Sequence, residues 1–177
     1  MTDAPVPPLD ASSLLSTLSP TLSITTLPQP VVADRLIPTA KRRILCYGDS
    51  LTAGYITESP YTRKYAPWAP VLAEAVGVPC DAVGASGWTT RDMVKHSDGG
   101  NRDACGEYRK GLCACLAERA YSTVIIMGGT NDLGTSSADE ISSRLLTLHG
   151  QCHAAGCRTV ALTIPQGRQI GPWTGVT

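Results

Sequence analysis

From about residue 43 the chain alternates between two kinds of hydrophobic pattern. Short apolar runs, at Arg43 to Tyr47, Cys80 to Val83, Thr123 to Met127 and Arg158 to Ile164, have the length and composition of buried strands. Between them lie segments whose apolar residues recur every three or four positions, as in helices with one buried face. Pro67 to Val76 puts Trp68, Leu72 and Val76 on one face, with prolines in its first turn and Gly77 as a stop. Ala104 to Ala120 spaces Cys105, Tyr108, Leu112 and Leu116 in the same way. Ser137 to Glu140 matches a capping box and opens a helix with Ile141, Leu145, Leu148 and Cys152 on one stripe, closed near Gly156. Strands alternating with helices predict a parallel sheet with right-handed crossovers, so that all the strand-end loops share one rim.

Residues 1–40 break this pattern. They are rich in Pro, Ser, Thr and Leu, with prolines at 5, 7, 8, 20, 28, 30 and 38. Repeated proline removes backbone donors and interrupts helix and strand, so this stretch is expected to be a disordered leader preceding one domain over 41–177. At 177 residues the chain is long enough to bury a sizeable core. Its 15 basic and 15 acidic residues cancel, which supplies no field for nucleic acid or an anionic membrane. No apolar run approaches the ~20 residues of a spanning helix, and neither a secretory nor a transit signal is recognisable, so the expected location is cytoplasmic. The seven cysteines include no C-x2-C pair, so they read as reduced thiols rather than as a metal site.

Three of the strand ends carry chemically useful residues. The first strand runs into Gly48-Asp49-Ser50-Leu51, the second into Ala85-Ser86-Gly87-Trp88, and the third into Gly128-Gly129-Thr130-Asn131-Asp132. Acyl transfer needs a nucleophile together with fixed donors aimed at the oxyanion. Ser50 supplies a hydroxyl and a backbone N–H, Gly87 a close-approaching N–H, and Asn131 a side-chain amide. Each has a plainer alternative: a helix cap for Ser50, a turn for Gly87, a loop cap for Asn131.

Taken together and in this order, the blocks resemble those of the SGNH hydrolases, or GDSL-type esterases, over about residues 43 to 165. The resemblance implies a flavodoxin-like three-layer α/β sandwich with a parallel sheet in the order 2-1-3-4-5. It also implies ester hydrolysis through an acyl-serine on Ser50, an oxyanion hole from the Ser50 and Gly87 N–H groups and the Asn131 side chain, a structural role for Asp49, and no metal or organic cofactor. The expected partner is a small-molecule ester, with no nucleic acid and no membrane. Tyr55, Tyr61 and Trp88 either line its pocket or simply pack.

The family's fourth block, an Asp-x-x-His whose His is the general base, has no counterpart in this sequence. The chain is therefore expected to lack the last strand and helix of the fold. Of its three histidines, His149 and His153 fall late on a helix that leads away from the rim, His149 by roughly 18 Å, and His96 needs a sharp return to face Ser50. The resulting expectation is an esterase of impaired activity. The alternative is a non-catalytic ligand- or partner-binding remnant. An exposed fourth strand, Thr159 to Thr163, is further expected to favour self-association.

Overall fold

The computed structural model describes residues 42–59 and 62–165. The proposed leader and Tyr61 lie outside the described residues. Four parallel strands form the central sheet: β1 (Ile44–Asp49), β4 (Cys80–Ala85), β7 (Thr123–Met127) and β8 (Arg158–Leu162), in the order β4-β1-β7-β8. This is the expected 2-1-3-4 arrangement. Two antiparallel hairpins stand apart from the sheet, β2 (Tyr55–Ser59) with β3 (Thr62–Tyr65), and β5 (Gly100–Arg102) with β6 (Tyr108–Lys110).

The helices are α1 (Ser50–Ala53), α2 (Ala69–Val76), α3 (Thr90–Lys95), α4 (Leu112–Glu118) and α5 (Ala138–Ala154). Alternation along the strands sends Leu45, Tyr47, Val124 and Ile126 to one face of the sheet. There they share a core with Met93 of α3, Leu112 and Cys115 of α4, and Leu148 and Cys152 of α5. Helices α1 and α2 instead pack against β4. The α5 stripe forms as its periodicity predicts, and its capping box is present, with Ser137 Oγ accepting the Glu140 N–H while Glu140 accepts the Ser137 N–H. In α2, Val76 departs from expectation and is exposed.

The helix expected over Ala104 to Ala120 exists only from Leu112. Its first half is the turn and second strand of the β5–β6 hairpin, and Tyr108, expected on the buried stripe, is exposed there. The reason is local. Asp103 Oδ1 accepts the Cys105 and Glu107 N–H groups at 2.9 and 3.0 Å, which fixes a tight turn, and Gly106 within it takes φ +83°, outside the helical region. An Asp side chain competing for backbone donors overrode a helical spacing.

All seven cysteines are free, and Cys46, Cys115, Cys152 and Cys157 are buried. Burial pushes the thiols up to about 12 at Cys46 and Cys152 and about 11 at Cys115. No group of residues that could hold a metal ion occurs among the described residues, and no described helix is long and apolar enough to cross a membrane.

Leu148, with no exposed surface, ties α5 to the sheet. Leu148→Ala is expected to cost about 2–5 kcal/mol in urea unfolding at unchanged m-value.

Candidate active site

Parallel register decides what meets at the rim. Asp49 pairs with Ala85 and Gly48 with Met127, so the residues that follow, Ser50, Ser86 and Gly128, leave the sheet side by side. Ser50 is the first residue of α1 and is half-buried. Asp49, not Ser50, caps that helix: its Oδ1 accepts the Leu51 N–H at 2.9 Å. Burial pushes the Asp49 carboxyl above its ordinary range, with the Leu51 N–H pulling the other way. At Gly48 a Cβ would lie 2.3 Å from both the Met127 carbonyl and Thr52 Oγ1, so only glycine lets the strand enter this turn between α1 and β7.

Gly87 lies in a four-residue turn closed by the Trp88 N–H donating to the Ala85 carbonyl at 3.2 Å. It is the third residue of that turn and takes φ +77°, the conformation a type II turn demands there. Thr89 then caps α3 through a capping box with Asp92.

Asn131 sits in a 3-10 turn, Thr130–Asp132, directly beyond β7. Its Nδ2 donates to the Trp88 carbonyl at 2.8 Å. This bond joins the second strand-end loop to the third and commits one of the two amide N–H groups. The structure thus brings Gly87 and Asn131 onto adjoining loops, on strands that both flank the one leading to Ser50.

The sequence reading overlooked two buried carboxylates beside these residues. Asp132, with no exposed surface, accepts the Thr90 N–H at 2.8 Å and the Thr90 hydroxyl at 2.7 Å, and lies 3.5 Å from Arg144 Nη1. Arg144 in turn reaches Ser136 and Glu140, both at 3.0 Å. Asp103 pairs with Arg109 Nε at 2.9 Å and accepts three backbone N–H groups, those of Ser86, Cys105 and Glu107. Burial pushes its carboxyl up, but these donors, Arg109 foremost, outweigh that and hold it below the ordinary range. A buried Asp among donors distant in sequence has no periodic signature. Only the Asp beside Asn131 lay within a recognised block.

None of the three histidines is placed against Ser50 by a described contact. The His153 ring bonds Thr159, and Thr159 pairs with Val124 near the beginning of β7, at the end of the sheet opposite Ser50. His149 stands beside it with ring centroids 6.4 Å apart, and burial together with His153 lowers its pKa. His96 ends α3, where its ring lies 5.5 Å from that of Trp88 and its Nε2 is 3.2 Å from Asn101 Nδ2. The Trp88 side chain is buried in the core cluster, with its indole Nε1 facing the Arg102 carbonyl, so it packs as the plainer alternative had it. Tyr55 packs on Tyr65 at 5.8 Å.

A model of the GDSL-like lipase/acylhydrolase family matches residues 46–176. A solved G-D-S-L family protein from Desulfitobacterium hafniense DCB-2 superimposes with TM-score 0.50 at 18% identity, over 70% of this chain and 61% of that one. A family two carbohydrate esterase from Clostridium thermocellum, solved in complex with cellohexaose, gives 0.54 at 16% identity, over 76% and 46%. The chain thus spans less than two thirds of either structure's length, and the likeness is one of fold. No curated protein matches it in sequence.

Because the folded Asp103 carboxyl lies below its ordinary range, its contribution to stability is fully present above the unfolded pKa and is lost as pH falls through the folded one. The stability gap between the wild type and Asp103→Asn is therefore expected to be wide at pH 7 and to narrow steadily below about pH 4 in urea titrations.

Proposed function

The chain belongs to the GDSL-like lipase/acylhydrolase family, and from that premise we infer that it is a serine ester hydrolase in which Ser50 attacks the ester carbonyl. The oxyanion of the tetrahedral intermediate is taken by the N–H groups of Ser50 and Gly87 and the remaining N–H of the Asn131 amide. As the first residue of α1, Ser50 has a backbone N–H without an intrahelical partner, as such a donor requires. The observation that supports this reading best is the Asn131–Trp88 hydrogen bond, which holds the amide-bearing loop against the Gly87 turn. The substrate class is a small-molecule ester, handled with neither metal nor organic cofactor.

A serine hydroxyl is a weak nucleophile until a base removes its proton. His153 is bonded at the far end of the strands, with His149 beside it, and His96 faces Trp88 and Asn101, so no described contact sets an imidazole against Ser50. In another serine hydrolase, loss of the base costs on the order of 10⁶ in turnover, and what remains comes from the oxyanion hole and binding. The same placement of histidines favours a second reading, in which the domain binds a ligand without turning it over.

Hydrolysis of p-nitrophenyl acetate by residues 1–177 separates these readings. The hydrolase reading expects turnover far below that of an ordinary esterase, abolished in Ser50→Ala and lowered about 10²-fold in Asn131→Ala. Turnover within tenfold of an ordinary esterase would show that one of the three histidines does act as the base. Equal rates in the wild type and Ser50→Ala favour the binding domain.

We further propose that the chain self-associates through β8. Among the described residues β8 pairs with β7 alone, and its Val160 and Leu162 are exposed. Sedimentation at increasing concentration is expected to show association that Val160→Lys weakens; a wild type that stays monomeric throughout would refute it.

A further inference from the structure

We propose that Asp103 is a positioning residue for acyl transfer, anchoring the turn whose Ser86–Gly87 peptide presents the Gly87 N–H to the oxyanion. This rests on the reading of Gly87 as an oxyanion donor. The argument is geometric. The Ser86–Gly87 peptide is trans, so the Ser86 carbonyl and the Gly87 N–H point in opposite directions. The Ser86 carbonyl accepts the Ala104 N–H at 2.9 Å, which turns the Gly87 N–H away from residue 104. The preceding N–H, that of Ser86, donates to Asp103 Oδ2 at 3.2 Å. Consecutive residues 103 and 104 thus grip both backbone polar groups of Ser86, and the turn cannot rotate without breaking one bond or the other.

The grip is itself held firmly. The Asp103 side chain has no exposed surface, and its Oδ1 takes two N–H groups of the β5–β6 turn, which hold the carboxylate in place whether or not Arg109 Nε sits on Oδ2. The hairpin is thereby closed by the same carboxylate that reaches the Gly87 loop. A Cβ at residue 87 would come within 2.6 Å of the Ala104 Cβ, so the turn and the hairpin are in contact with no slack between them.

In Asp103→Asn, the two hairpin N–H groups keep the amide oxygen, and the NH2 group then faces the Ser86 N–H and Arg109, both donors. Arg109→Gln removes the guanidinium but leaves the carboxylate on Ser86. The test compares Ser50-dependent p-nitrophenyl acetate hydrolysis, with the Ser50→Ala rate subtracted, and the Gly87 amide cross-peak in 15N NMR spectra. Asp103→Asn is expected to lower kcat at least tenfold with KM within twofold, and to displace the Gly87 cross-peak. Arg109→Gln is expected to keep kcat within twofold whatever its stability. Should Asp103→Asn fail to fold, Asp103→Asn/Arg109→Gln, which also removes the unpaired guanidinium, is compared with Arg109→Gln in the same way. An unmoved cross-peak with kcat within twofold of wild type overturns the proposal, and so does an equal fall of kcat in Arg109→Gln. If the wild type shows no Ser50-dependent hydrolysis, the hydrolase reading itself has failed, and the displacement of the Gly87 cross-peak alone decides whether Asp103 orients the turn.

Discussion

Everything at the rim depends on β1 being hydrogen-bonded along both of its edges. Its parallel partners β4 and β7 begin level with it, at Cys80 and Thr123 opposite Ile44. Three strands that start level and run parallel end at the same end of the sheet, so the loops after them are neighbours however far apart they lie in sequence. A slip of one residue in either pairing would turn Leu45 and Tyr47, or Val124 and Ile126, away from the shared core, so burial enforces the register. The hydrophobic effect thereby sets the spacing of groups that are themselves polar.

The loops then need bonds of their own, because backbone beyond a strand has left its ladder. Here the answer is polar and buried. Asn131 reaches across to the Trp88 carbonyl, Asp132 takes both the N–H and the hydroxyl of Thr90, and Asp103 takes the N–H of Ser86. These bonds hold the segment from Ser86 to Thr90 at both ends and in its middle. Buried carboxylates are tolerated there because each has Arg or backbone donors around it, which return the interactions that water would have made.

The four strands of the central sheet and the α5 helix were legible in the sequence because each rests on a local period or a local cap, as at Ser137 and Glu140, whereas the strand order was implied by the family resemblance. The three strand-end motifs were legible as well, being short and contiguous. Asp103 was not, because its partners range from Ser86 to Arg109 and become neighbours only after the hairpin closes. The spacing of Cys105, Tyr108, Leu112 and Leu116 misled for the same reason: the carboxylate that diverts the chain into a hairpin stands just before the first of them. Composition identified the cysteines as small apolar residues, and burial agrees for Cys46, Cys115, Cys152 and Cys157.

The two hairpins also touch, with Arg63 donating to the Cys105 carbonyl and Arg109 lying 5.0 Å over the Tyr65 ring. Neither hairpin belongs to the central sheet. At exposed Tyr108, whose hydroxyl donates to the Gly99 carbonyl at 3.0 Å, added bulk meets solvent. Ala104 is different: a Cβ at residue 87 would lie 2.6 Å from the Ala104 Cβ, so what residue 87 can be is conditional on a residue seventeen positions later. The two sites are therefore coupled, and a mutagenesis library that varied the Gly87 turn and the hairpin as independent segments would miss the combinations in which one accommodates the other.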